Sequence, residues 1–178
     1  TPENDQFQSN SLTPTNGIIG NSFWGNGFSI IYAANSVLEG LTSAPNISES
    51  AKNKLTGEAK FVRAFCNFYL CNLFGDIPLV NETNWRNTKS LSRASVSQVY
   101  QQIIVDLNDA VNLLPPDYDI SYGQRIIPNK WSASALLARV YLYEKRWEDA
   151  ERLSGEIISQ NSLFNLDSDL RNVFKINS

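Results

Sequence analysis

The 178-residue chain has no histidine, no methionine, only two cysteines and just 19% charged residues. Without histidine it lacks the side chain that most often serves as general acid, general base or metal ligand near neutral pH. No nucleophile motif is present, and the carboxylates fall mostly on predicted solvated helix faces, so neither catalysis nor a cofactor or metal is expected. A basic surface is missing as well. Lys and Arg number 15 against 18 Asp and Glu, and a net charge of -3 gives nucleic acid phosphates nothing to bind. No apolar run approaches the roughly 18 to 20 residues that a membrane-crossing helix requires. The opening residues have no signal-peptide pattern, and Thr1 is not a translation start. The chain therefore reads as an excised segment, with any leader or lipid anchor outside it.

The two cysteines, Cys66 and Cys71, are five positions apart. On a helix that spacing separates their Cα atoms by about 8.6 Å. A disulfide needs less than about 7 Å. Two free, buried thiols are expected.

What the sequence does have is helical periodicity. Residues 1–22 mix Pro2, Asn4, Asn10, Pro14, Asn16 and Gly17 without an apolar period and predict a long loop. Trp24, Phe28, Ile31, Val37 and Leu38 then recur at helical intervals, giving a first helix over 23–39 that Gly40 and Pro45 close. A second and longest helix is expected over 48–74, ended by Gly75 and Pro78. Its later half is apolar nearly all round, with Arg63, Asn67 and Asn72 as the polar exceptions, which predicts a helix sandwiched between neighbours.

After a polar connection over 75–94, Ser95 and Gln98 form a capping box for a third helix. Val99, Tyr100, Ile103, Leu107 and Ala110 make its apolar stripe, opposed by Gln101, Gln102, Asp106 and Asp109, and Pro115 and Pro116 end it. A fourth helix over 130–144 carries Arg139 as a lone charge, for which Glu58 is the expected partner. A fifth begins at Trp147, with Trp147, Ala150, Leu153, Ile157 and Ile158 on its buried face. No convincing strand is seen.

The class is all-α, with at least five helices joined by long loops in one domain over 1–178: loop-rich to 22, a helical core over 23–160 and a short extension over 161–178. Leu137, Ala138, Tyr141 and Ala150 fall at tetratricopeptide spacing, which favours a tetratricopeptide-like array, degenerate upstream, over an ordinary helical hairpin.

Three stretches, in order, resemble the SusD/RagB family. They are Gly57-Glu58-Ala59-Lys60-Phe61-Val62-Arg63-Ala64-Phe65 leading to Phe74-Gly75-Asp76-Ile77-Pro78; Arg93-Ala94-Ser95 through Val99-Tyr100 and Ile103-Ile104 to Leu113-Leu114-Pro115; and Ala135-Leu136-Leu137-Ala138-Arg139-Val140-Tyr141 with Trp147-Glu148-Asp149-Ala150 and, further on, Leu170 to Phe174. Trp24, Ile31 and Asn35 add to the match. The resemblance implies a non-catalytic, surface-exposed lipoprotein of the outer membrane. Such a protein binds a glycan or other nutrient and caps a SusC-like TonB-dependent transporter, touching the membrane only through a lipid anchor outside this chain. Family members are longer, and their C-terminal part supplies much of the ligand site. One departure stands out: where the family often has glycine between the fourth and fifth helices, Glu144-Lys145-Arg146 stands here.

Sugar recognition sets aromatic faces against the apolar side of a pyranose, with amides on the hydroxyls. Trp85, Tyr118 and Tyr122 are the loop aromatics. The family's contacts from the loop before the first helix point to Phe7, Gln8, Asn10 and Asn16. The plainer reading of Trp85, Tyr118 and Tyr122 is that each packs its loop onto a helix. Trp24, Trp131 and Trp147 are expected in the core. The pairs Asp117 with Asp119 and Asp167 with Asp169 offer too few oxygens for calcium. Two other functions compete. A tetratricopeptide adaptor would line its groove with polar residues, unlike the apolar second and fourth helices, and a glycoside hydrolase would need two carboxylates roughly 5 to 9 Å apart.

Overall fold

The computed structural model describes residues 1–165. Asp167, Asp169 and the stretch from Leu170 to Phe174 lie outside the described residues. Where residues 1–22 predict a loop, two helical segments stand instead. The first, α1 (Pro2–Gln8), is opened by Thr1, whose hydroxyl accepts from the Asn4 amide, and carries Pro2 at its start with Glu3 and Asp5 in its first turn. The second is a π-helix (Ile18–Gly25) that runs without a break into α2 (Asn26–Thr42), so the start predicted at 23 falls inside a continuous helical rod. One distant and one local side chain make this possible. Glu3 accepts from the Gly17 amide at 2.9 Å and Asn16 Oδ1 from the Ile18 amide at 3.0 Å, satisfying donors at the start of the helix. At the other end α2 continues through Gly40 to Thr42.

The longest helix, α3 (Glu49–Phe74), has the predicted ends: the Ser48 hydroxyl accepts from the Ala51 amide, and Gly75 closes it at φ 72°. The strands β1 (Ile77–Pro78) and β2 (Arg93–Ala94) pair antiparallel, a two-residue ribbon too short to leave a sequence pattern. Between them lies one turn of helix, α4 (Trp85–Thr88). The capping box of Ser95 and Gln98 opens α5 (Val96–Leu113) as expected. A single 3-10 turn, Asp119–Ser121, precedes α6 (Lys130–Tyr143), which Asn129 and Ser132 cap reciprocally, and α7 (Trp147–Ile158) follows. The turn into α7 keeps a left-handed backbone at Lys145, φ 59°, so it is built without glycine.

The helices pack in chain order: α2 on α3, α3 on α5, α5 on α6 and α6 on α7. Ile31, Phe68, Val99, Ile103, Leu107 and Val140 anchor the shared core. Gly57 sits where α3 meets the end of α5. A Cβ there would lie 2.8 Å from Leu114 Cγ, so only glycine permits the approach.

Three features reverse expectation. First, α3 is not covered on all sides: Phe65 and Tyr69 are exposed and Leu73 is 60% exposed, whereas Arg63 and Asn67 are buried. Second, Asp106, expected on the solvated face of α5, is fully buried. Each supplies what the other needs, because Arg63 Nε and Nη2 donate to the two Asp106 oxygens at 2.8 and 2.7 Å. The buried guanidinium is therefore Arg63; Arg139 is exposed and reaches Tyr69 Oη at 3.3 Å, while Glu58 faces Lys54 at 3.6 Å. Third, Trp147 and Ile158 are exposed while Ala150 and Leu153 are buried. Ala150 and Leu153, in the middle of α7, are its buried residues, and the bulky ends of α7 stand outside the core. Of the other tryptophans, Trp24 is half-buried edge-on to Phe74, with ring centroids 5.0 Å apart, and Trp131 is half-buried. Cys66 and Cys71 are free and buried, and burial, aided by Asp76 and Glu144, pushes the Cys71 thiol up to about 11.

Candidate functional site

The seven sequence candidates occupy three places. Phe7, Gln8, Asn10 and Asn16 belong to α1 and to the turn that joins it to the start of the π-helix. Phe7 is edge-on to Phe23, with centroids 6.2 Å apart, and Gln8 and Asn10 face solvent, Asn10 in a left-handed conformation at φ 51°. Asn16 is buried. Its Nδ2 donates to the Glu3 carbonyl and to Gln6 Oε1, both at 3.0 Å, so the amide is occupied in joining α1 to the π-helix.

Tyr118 and Tyr122 lie at the opposite end of the helix array, beyond the last turn of α5. The 26 residues of α3 span roughly 38 Å between the two ends at 1.5 Å per residue. Tyr118 is half-buried beneath the Arg125 guanidinium, which is 5.2 Å from its ring and 5.0 Å from that of Phe164. Tyr122 is 96% exposed in a left-handed turn at φ 54°, a ring presented to solvent rather than packed on a helix.

Trp85 occupies the third place, beside the last turns of α2. Asn84 caps α4 by accepting from the Arg86 amide at 3.1 Å. The indole is 58% exposed, with Lys89 Nζ 4.7 Å and the Arg86 guanidinium 5.2 Å from its centroid. The residues leading to it are tied to the helices. Asn35 Nδ2 donates to the Val80 carbonyl at 2.9 Å, Asn81 Nδ2 to Gln102 Oε1 at 3.3 Å, and the Thr83 amide to Glu39 Oε1 at 2.7 Å. The Thr83 hydroxyl also donates to Glu39, and this bond first, the amide second, holds the Glu39 carboxyl below its ordinary value of 4.5. Asn35 and Glu39 were missed as contributors, since each sits on α2 and acts on a segment more than forty positions away.

The structure does not bring these groups into one cleft. A largely apolar groove of about 340 Å³ lies elsewhere, between α2 and α3, and includes Ile30, Val37, Val62 and Ile126. Among the described residues no group of His, Cys, Asp and Glu could hold a metal ion, and no helix is long and apolar enough to cross a membrane. The arrangement offers separate aromatic platforms on a rigid helical frame, suited to an extended ligand.

A model of the SusD-like family, described as starch-binding associating with outer membrane, matches residues 3–142. The chain belongs to the SusD-like family. It is 31% identical over 166 residues to SusD-like protein P2 of Formosa agariphila, covering 91% of this chain and 32% of that protein. A SusD-like protein of Bacteroides ovatus is 30% identical over 131 residues, which are 71% of this chain and 23% of that one. Among solved structures, a laminarin-binding SusD-like protein superposes with a TM-score of 0.77 at 33% identity, over 85% of this chain and 32% of that chain. A SusD-like protein of Bacteroides fragilis gives a TM-score of 0.75 at 27% identity, over 86% of this chain and 29% of that one. The chain thus spans about a quarter to a third of the length of the SusD-like relatives it matches.

Proposed function

We propose that this chain is the helical part of a non-catalytic, glycan-binding lipoprotein at the outer membrane that serves a SusC-like TonB-dependent transporter. The observation that carries the reading is the match over 3–142 to a family described as starch-binding associating with outer membrane. The exposed rings of Trp85 and Tyr122 support it, because solvent-facing aromatics on a rigid frame are what a pyranose stacks on. The 33% identical laminarin-binding structure makes β-glucan a reasonable first ligand. Phe7, Gln8 and Asn10 are proposed to add contacts at the far end, while the anchor and much of the ligand surface belong to the rest of the longer protein.

Calorimetry of the full-length protein against laminarin, starch and a panel of other polysaccharides tests the proposal. Saturable binding to at least one is expected, weakened about fivefold or more when Trp85 or Tyr122 is changed to alanine. The isolated 178-residue piece is expected to bind feebly, since platforms act together. No binding to any member of the panel by the full-length protein, or release of reducing sugar, would overturn the reading. Co-purification with a TonB-dependent transporter tests the partnership.

A further inference from the structure

The buried ion pair at the centre of the molecule continues outward to Trp85. Asp106 receives Arg63 Nε at 2.8 Å, Arg63 Nη2 at 2.7 Å and Gln102 Nε2 at 3.2 Å. From it two hydrogen-bonded routes reach adjacent residues of one segment. Arg63 Nη1 donates to Asn35 Oδ1 at 2.8 Å, which fixes the orientation of the Asn35 amide so that Nδ2 meets the Val80 carbonyl at 2.9 Å. Gln102, whose amide is oriented by Asp106, turns Oε1 toward Asn81 Nδ2 at 3.3 Å. Glu39 adds a third tie, to the amide and hydroxyl of Thr83. Residues 80, 81 and 83 are thus held immediately before Asn84, the cap of the helical turn that carries Trp85.

Apolar packing alone holds a segment without specifying the direction of its amides, whereas hydrogen bonds from an oriented, buried network do. Arg63, Asn35 and Asp106 are each at most 6% exposed and contact no solvent-facing ligand surface themselves. We infer that Arg63, Asn35 and Asp106 are positioning residues that set the pose of the Trp85 platform, with Glu39 as the outer clasp. The inference rests on the reading of Trp85 as a ligand contact but makes a claim about the unliganded protein as well. A platform held in place before binding loses less conformational freedom when its ligand arrives.

Hydrogen exchange on the full-length protein reads the pose directly, and laminarin affinity reads its consequence. Asn35→Asp keeps an acceptor for Arg63 while removing the donor to Val80. Glu39→Ala removes an exposed clasp and leaves the core untouched, so it folds whatever becomes of the first variant. Exchange of the amides of 80–88 is expected to quicken about tenfold in each variant, with those of α6 and α7 unchanged. Laminarin binding is expected to weaken about threefold or more in both, and more in Trp85→Ala. Unchanged exchange over 80–88 in both variants would overturn the inference. So would a loss of affinity in Trp85→Ala that neither clasp variant shares. Should Trp85→Ala bind like the parent while the clasp variants still quicken exchange, Trp85 is no ligand contact and the positioning role stands.

Discussion

The α3–α5 interface and the α6–α7 interface solve the same packing problem differently. The first places the Arg63–Asp106 pair at its centre, flanks it with Lys60 and Asp109, and adds a hydrogen bond from Tyr100 Oη to Asn72 Oδ1 at 3.1 Å. The second is made by Ala138, Ala150 and Leu153, with the Arg146 guanidinium over the Tyr141 ring at 4.1 Å. A charged centre is directional and is satisfied in one register. A small-residue contact is sensitive to volume instead. The first interface should therefore fail when a partner is deleted, the second when an atom is added.

Four measurements sharpen or break that contrast. The largest effect is expected from Arg63→Ala, which leaves Asp106 buried without its main donor and should cost about 3–5 kcal/mol in denaturant unfolding. Adding Asp106→Ala should cost less than the sum of the two single changes, because one interaction is being removed twice. Additive losses would show that the pair does not act as a unit. Next is Ala150→Leu, which overfills the α6–α7 contact and should cost about 1–3 kcal/mol by the same assay; a neutral result would mean that this interface has room to spare. Smaller, and of opposite sign, is Lys145→Gly, expected to raise stability by about 0.5 kcal/mol by relieving a left-handed backbone, with glycine's greater freedom in the unfolded chain offsetting part of the gain. A drop in melting temperature would refute it.

The smallest effect lies outside both interfaces. Glu39 has a folded-state pKa below its ordinary 4.5, so its bonds to Thr83 contribute fully above that value and are lost as pH falls through the lowered one. The Thr83 amide resonance should accordingly titrate at a pH below 4.5, and a midpoint at or above 4.5 would show that the clasp is absent in solution.

Much of the frame was legible because it is written locally. Ser48, Gly75, Ser95 and Gln98 end or begin helices through bonds to residues three or four positions away, and all four did so where the sequence placed them. The misses share a different cause. Arg63 and Asp106 are 43 positions apart, Asn16 reaches back to Glu3 across 13, and Asn35 acts on Val80 across 45. A helical period puts Asp106 on a solvated face, composition puts Asn16 in a loop, and neither gives Arg63 or Asn35 a role, since neither signal carries a record of a partner on another element. Trp147 failed for a related reason: it fits the apolar stripe, but Ala150 and Leu153 are the residues of that stripe that are buried. Of the candidate site, the exposure of Trp85 and Tyr122 agrees with their loop positions, whereas the occupied amide of Asn16 was not visible from its neighbours.

The chain-order packing of α2, α3, α5, α6 and α7 has a consequence in time. Each helix after α2 packs on one that has already been made, so the array can be laid down from its N-terminal side as the polypeptide lengthens. The pause falls at α5. Until Asp106 emerges, Arg63 is a cation without its carboxylate on a helix otherwise ready to pack, and closing that pair should fix the register of α5 on α3. A nascent chain halted before residue 106 should therefore be helical yet loosely packed, and one extended beyond α5 should lock.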